Sequence, residues 1–142
     1  MNALWSNAYV GTPFEEFGRE REGCDCWGLA CIVYREELNI TLPDYLGGYQ
    51  SVEERSEIAA LIAGGKSSPL WVRNDGPSLA FDIAIFRRGR LDTHVGLIVQ
   101  RGIMLHMEDR DCAKHADMGS GAWKHRLTGV YRHVEMISRA AR

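Results

Sequence analysis

A chain of 142 residues, 45% hydrophobic and 25% charged, has the composition of an ordinary globular domain and enough length to bury one core. Its 17 Lys and Arg against 19 Asp and Glu leave a formal charge of -2, with no basic footprint for nucleic acid and no like-charge run to hold an acidic membrane surface. No apolar run approaches the length of a membrane span, so membrane insertion is not expected.

The N-terminal "MNALWSNAYVGTPFEEFGRE" lacks the basic and then apolar order of a secretory signal, which implies synthesis in the cytoplasm and transport outward, if any, by another agent. No repeat, low-complexity tract or Pro/Ser-rich linker divides the sequence, so residues 1–142 read as a single domain. A short helix is expected over 3–10, carrying Leu4, Trp5, Ala8 and Tyr9 and ended by Gly11 and Pro13. A second should run from Asp25, a natural N-cap, to about Leu38, because Leu29, Ala30, Val33, Tyr34 and Leu38 recur at helical spacing. Ser51 and Glu54 form a capping-box pattern for a third, through Ile58, Leu61 and Ile62 to the Gly64-Gly65 pair.

After a loop over 66–78 the pattern changes to short β-rich runs: 81–86, 94–100, 103–107 and 129–134. Helices followed by antiparallel strands give an α+β fold, with N-terminal helices packed on one face of a meandering antiparallel sheet.

Three of the four cysteines, Cys24, Cys26 and Cys31, fall within "EGCDCWGLAC"; the fourth is Cys112. Cys24 and Cys26 are too close in sequence for an unstrained bridge, and free thiols are expected. A reactive thiol must ionise, and the first turn of a helix, with its unpaired N–H groups and positive dipole end, favours the anion. With Asp25 as N-cap, Cys26 is the first helical residue, Cys24 lies in the preceding loop, and Cys31 is roughly 140° round the helix. Geometry therefore favours Cys26 as nucleophile, with a pKa lowered into the range of about 3.5 to 7.5, and leaves Cys31 as a small core residue. A zinc site from Cys24, Cys26 and a histidine is disfavoured, since a C-x-C pair without a second pair is a weak signature; no cofactor is expected.

His115, His125 and His133 sit in polar surroundings and read as surface or edge residues, whereas His94 and His106 are embedded in apolar strands. A two-residue turn at Arg101-Gly102 would put these two on opposite faces of the sheet. A three-residue loop, Gln100-Arg101-Gly102, shifts the pairing by one, so that His106 stands opposite Gly96 and diagonal to His94, about 7 to 8 Å away on the same face. Gly96 would leave the two rings their space. The segment "EDRDCAKHAD" at 108–117 reads as a solvated polar loop.

"DCWGL" at 25–29, "HVGLIV" at 94–99 and "MLH" ending at His106 resemble, in order and spacing, the motifs of the NlpC family of papain-like cell-wall cysteine peptidases. "VGTPF" at 10–14, "LPDY" at 42–45 and "FDIAIF" at 81–86 match further family segments, and the resemblance runs from about residue 9 to about residue 107. It implies a papain-like fold, Cys26 as nucleophile, His94 as general base and His106 as the group orienting His94. The implied substrate is the peptidoglycan stem peptide, cut typically between D-glutamate and diaminopimelate. Trp27, where most members have Ser, resembles the branch found in tail proteins of phages and gene transfer agents, which implies tail or baseplate partners and delivery to the wall of a target cell. Phe14 stands where many members have Tyr, and Tyr9 is the candidate substitute for that hydroxyl. The same Cys and His pair would also serve a related amidase or acyltransferase, and the fold alone would serve an inactive structural tail subunit.

Overall fold

The computed structural model describes residues 4–43, 70–88, 91–108 and 110–142. The helix expected from Ser51 onward, and Asp44 and Tyr45 of "LPDY", lie outside them. The chain opens with α1 (Leu4–Asn7), shorter than the expected 3–10 because turns, not helix, carry it on to Thr12; Tyr9 N–H donates to Ser6 O and Thr12 N–H to Tyr9 O. A small hairpin follows, β1 (Arg19–Glu20) with β2 (Gly23–Cys24), and leads straight into α2 (Cys26–Val33). All eight residues of α2 are buried. The helix widens to one π-type stretch, Tyr34–Leu38, and stops where Asn39 takes the left-handed conformation at φ 57°.

Among the described residues six strands form one antiparallel sheet: β3 (Trp71–Arg73), β4 (Ile83–Arg88), β5 (Leu91–Gln100), β6 (Ile103–Met107), β7 (Ala113–Asp117) and β8 (Leu127–His133). Their order is β3-β8-β4-β5-β6-β7. The meander from β4 to β6 is as expected, but β7 extends it, β8 returns to the far side of β4 and β3 joins it there. Sequence reading missed β3 and β7 for one reason. Both are edge strands whose outward side chains are polar or exposed, such as Lys114, His115 and Asp117, so neither shows an apolar stripe. The "polar loop" at 108–117 is thus strand from Ala113 onward.

Alternation along the strands builds two cores. Ile83, Ile85, Val95, Leu97, Val99, Leu105 and Met107 face α2, which packs across β5 and β6. On the opposite face Ala84, Phe86, Ile98 and Met104 meet Met118 and Trp123, the latter from the short helix α3 (Gly121–Arg126). Helices therefore cover both faces. α2 takes one, and the late α3, too short and too polar to show helical periodicity, takes part of the other. No helix among the described residues is long and apolar enough to cross a membrane.

His133 corrects another expectation. It is 6% exposed, sits edge-on to Trp71 with ring centroids 4.9 Å apart, and its Nδ1 accepts the Glu135 N–H at 3.0 Å as N-cap of α4 (Val134–Ala140). Burial holds its pKa below the ordinary 6.5. The unfolded chain therefore binds this proton first, and the stability linked to His133 is whole above about pH 6.5 and is lost as pH falls below it. His133→Asn, which keeps an N-cap acceptor but cannot titrate, should have a Tm that falls less than that of wild type between pH 7 and pH 5. Parallel curves from the two proteins would remove His133 from the acid response.

Candidate active site

Asp25 is the N-cap that the sequence predicts, and it does more than cap. Its carboxylate is fully buried; Oδ1 accepts the Gly28 N–H at 2.8 Å and Arg19 Nη1 at 2.8 Å, and Oδ2 accepts the Phe17 N–H at 3.0 Å. Arg19 Nη1 also donates to Gly18 O at 2.8 Å. The loop before β1 is thereby drawn onto the first turn of α2. Gly28 permits the approach, since a Cβ there would lie 2.1 Å from Gly18 O and 2.9 Å from Cys24 Cβ. The glycine of "DCWGL" is thus a matter of backbone clearance.

This arrangement makes Cys26 the first residue of α2, 6% exposed, next to the helix's N-terminal donors. Cys24 is different. It is fully buried in β2, and burial, with the neighbouring Asp25 carboxylate adding to it, pushes its thiol up to about 12. Cys31, 7% exposed, directs Sγ at Pro43 O, 3.7 Å away, as a core residue would. Trp27 Nε1 donates to the same carbonyl at 2.8 Å, and its ring meets Trp71 edge-on, so Trp27 is a buried anchor. The described residues contain no group of three or more His, Cys, Asp or Glu that could hold a metal ion.

His94 and His106 come together. Both are 2% exposed, and His94 Nε2 lies 3.0 Å from His106 Nδ1 with the rings at 83°. The expected register is present, with Gly96 opposite His106 and Leu97 opposite Leu105, but its cause differs from the expected loop. Gln100 pairs with Ile103 across a two-residue Arg101-Gly102 turn, and a bulge between Ile98 and Gln100 takes up the extra residue. Gly102 has the expected positive φ, 80°. Gly96 makes room for other groups than expected: a Cβ would meet Met104 Sδ at 2.5 Å and Phe86 Cε1 at 3.5 Å. The His94 ring lies beside Phe86, with centroids 6.1 Å apart, and Val95 and Met107, next to the histidines on the same two strands, pack in the cluster that holds Cys26.

Further groups surround the pair. Glu108 Oε1 is 4.0 Å from His106 Nε2, and Trp123 lies against both imidazoles. Sequence reading missed Trp123; its only signal is a lone large aromatic in the polar run "GSGAWKHR". Tyr9 does not approach the start of α2. Its hydroxyl donates to Glu37 Oε2 at 2.8 Å and Glu36 Oε1 at 3.1 Å, on the order of 15 Å along the helix from Cys26. Neither Phe14 nor Tyr9 thus brings a hydroxyl to Cys26. Of the remaining histidines, His125 is exposed and His115 is an exposed residue of β7 whose Nε2 lies 2.7 Å from Ser6 Oγ.

A helix whose first residue is a cysteine, laid across two strands that carry a buried histidine pair, is the layout of a papain-like α+β domain. The solved structures that resemble it are NlpC/P60 proteins. The NlpC/p60 domain of the peptidoglycan hydrolase SagA matches with TM-score 0.61 and 15% identity over 92% of this chain and 96% of that one. An NLP/P60 lipoprotein-like protein from Staphylococcus aureus subsp. aureus Mu50 matches with TM-score 0.62 and 21% identity over 92% of this chain. An NlpC/P60 family protein from Bacillus cereus ATCC 10987 matches with TM-score 0.64 and 18% identity over 93% of this chain. The chain spans 40% and 39% of those last two proteins. At such identities the likeness is one of fold. No protein-family model matches the sequence, and no curated protein does.

Two outcomes test the thiol end. Asp25→Ala strands a guanidinium that is only 10% exposed and two N–H groups, and should cost about 3 to 5 kcal/mol, read by urea unfolding. Asp25→Asn keeps the cap to Gly28 and should cost less; equal losses would mean that the charge on Asp25 is immaterial. In the wild type, iodoacetamide at pH 6 should label Cys26 well ahead of Cys24, read by peptide mass spectrometry. Equal labelling would contradict the assignment.

Proposed function

We propose that residues 1–142 form a single cysteine peptidase domain of the NlpC/P60 type that hydrolyses peptidoglycan stem peptides, most specifically the D-glutamyl bond to diaminopimelate. The observation that carries this reading is the buried His94–His106 hydrogen bond on the strands crossed by the helix that begins at Cys26. The fold shared with the SagA peptidoglycan hydrolase domain supports the substrate class.

In this reading Cys26 is the nucleophile, His94 the base and acid, and His106 the residue that fixes His94. With Nε2 engaged by His106, His94 would meet the thiol through Nδ1, the ring nitrogen nearer the β5 backbone. Proton transfer from Cys26 Sγ to His94 gives a thiolate and an imidazolium, and the thiolate attacks the scissile carbonyl. The oxyanion is met by first-turn N–H groups of α2, that of Cys26 among them. Collapse breaks the C–N bond as the imidazolium gives its proton to the leaving amine. A thioester remains on Cys26, and water, deprotonated by His94, hydrolyses it to the free carboxylate and thiol. His106 sets the tautomer and orientation of His94; an uncharged imidazole in that place stabilises the imidazolium less than a carboxylate would.

Carriage on a phage-like tail, with tail or baseplate proteins as partners and action in the periplasm of a target cell, is the second part of the proposal. Its support is the resemblance of the Asp25–Leu29 motif, with Trp27, to tail-associated sequences.

Purified diaminopimelate muropeptides are the test. Wild type should release the D-glutamyl fragment, and Cys26→Ala and His94→Ala should each abolish turnover with circular dichroism unchanged. The double variant should be hardly worse than either single one, because the two act as a unit. His106→Ala should retain more activity than His94→Ala. Wild type and Cys26→Ala equally inactive on every stem peptide would replace the enzyme with a structural subunit of the same fold.

A further inference from the structure

Trp123 is held against both rings of the histidine pair. Its indole stacks on His94 with centroids 5.1 Å apart and planes at 27°, and it meets His106 edge-on at 4.9 Å and 71°. Phe86 closes a third side, edge-on to the indole at 5.0 Å. The residue is half-buried, on a short helix that contacts β4, and nothing in the proposed chemistry uses it. An aromatic face carries negative potential, so a cation parallel to it is stabilised while a neutral imidazole gains little.

Resting on the active-site reading above, we infer that Trp123 is a positioning residue for that site: its stacked face stabilises the His94 imidazolium, and its ring closes the His94–His106 hydrogen bond from water. Other groups among the described residues also stand near the pair. His106 itself lies on β6, Glu108 just beyond it, and Lys114, opposite His106 on β7, is paired with Asp111 at 2.6 Å. Arg126 stands 5.6 Å from the Trp123 ring, and β4 contributes the uncharged Phe86. Of these, Glu108 also favours a cation on the pair, but it is 45% exposed and 4.0 Å from the second ring, so its effect is screened. Trp123 stacks directly on His94. Stabilising the imidazolium also stabilises the thiolate paired with it, which makes the indole part of what keeps Cys26 reactive near neutral pH.

Two substitutions separate the π face from mere volume. Trp123→Phe keeps an aromatic face, and Trp123→Leu keeps apolar bulk without one. In the full chain, with folding checked by thermal melting, the His94 imidazole titration followed by NMR should have its midpoint lowered by about half a pH unit in the Leu variant and by less in the Phe variant. The pH at which Cys26 becomes alkylated should rise in the same order, in an assay that needs no substrate. Unchanged His94 titrations in both variants, or equal shifts in both, would overturn the inference and leave Trp123 as packing. Should the titrations shift while wild-type Cys26 alkylates no faster than the other cysteines at pH 6, the stacking role stands and the cysteine-peptidase reading falls.

Discussion

A carboxylate with no exposure to solvent is costly unless donors surround it, and Asp25 accepts from Gly28, Phe17 and Arg19. Making these bonds is what gives this part of the molecule its shape. The chain turns back at Phe17, which accepts a left-handed φ of 65°, and the carbonyl of Gly18 is pressed against a helical glycine. With the loop pinned, α2 can begin at residue 26 and nowhere else. Two residues earlier, the thiol of Cys24 is sealed in a hairpin; one residue later, Trp27 is buried against Trp71. Cys26 alone stands where the helix end can stabilise a thiolate.

The second half of the site depends on register. A residue at Val99 that finds no partner in β6 shifts the hairpin by one position, and that shift brings two imidazoles to one face. Packing then holds them, since Phe86 and Met104 fill the space beside Gly96 and Trp123 covers the rings. Farther along β4, Arg132 grips Asp82 with two 2.8 Å bonds and fixes β8 to the segment that enters β4. β4 is thereby fixed from both sides. α2 crosses β5 and β6, so the element that begins at Cys26 lies against the two strands that carry the imidazoles.

The parts of this molecule legible in sequence are those in which a local pattern has a local cause. Asp25 before an apolar helical stripe signalled the cap, and β4, β5, β6 and β8 showed themselves by short β-rich runs. The same-face placement of His94 and His106 was legible as parity, although the bulge that produces it was not, because a bulge and a longer loop shift pairing alike. What stayed hidden was set by tertiary contact. Lys114 and His115 look like loop residues until an edge strand needs polar outward positions. His133 looks exposed in "VYRHVE" until Trp71, more than sixty residues away, folds over it. Trp123 has no periodicity around it, and its place over the imidazoles follows only from the path of the chain between β7 and β8.

The central claim is that Cys26 forms a thioester with a stem peptide. Its most direct measurement is an acid quench during turnover of a diaminopimelate muropeptide, followed by peptide mass spectrometry of all four cysteines. The account predicts an acyl adduct on Cys26 alone, with the mass of the fragment on the D-glutamyl side of the cut. Turnover with no adduct under any quench, or an adduct on Cys24, Cys31 or Cys112, would contradict it.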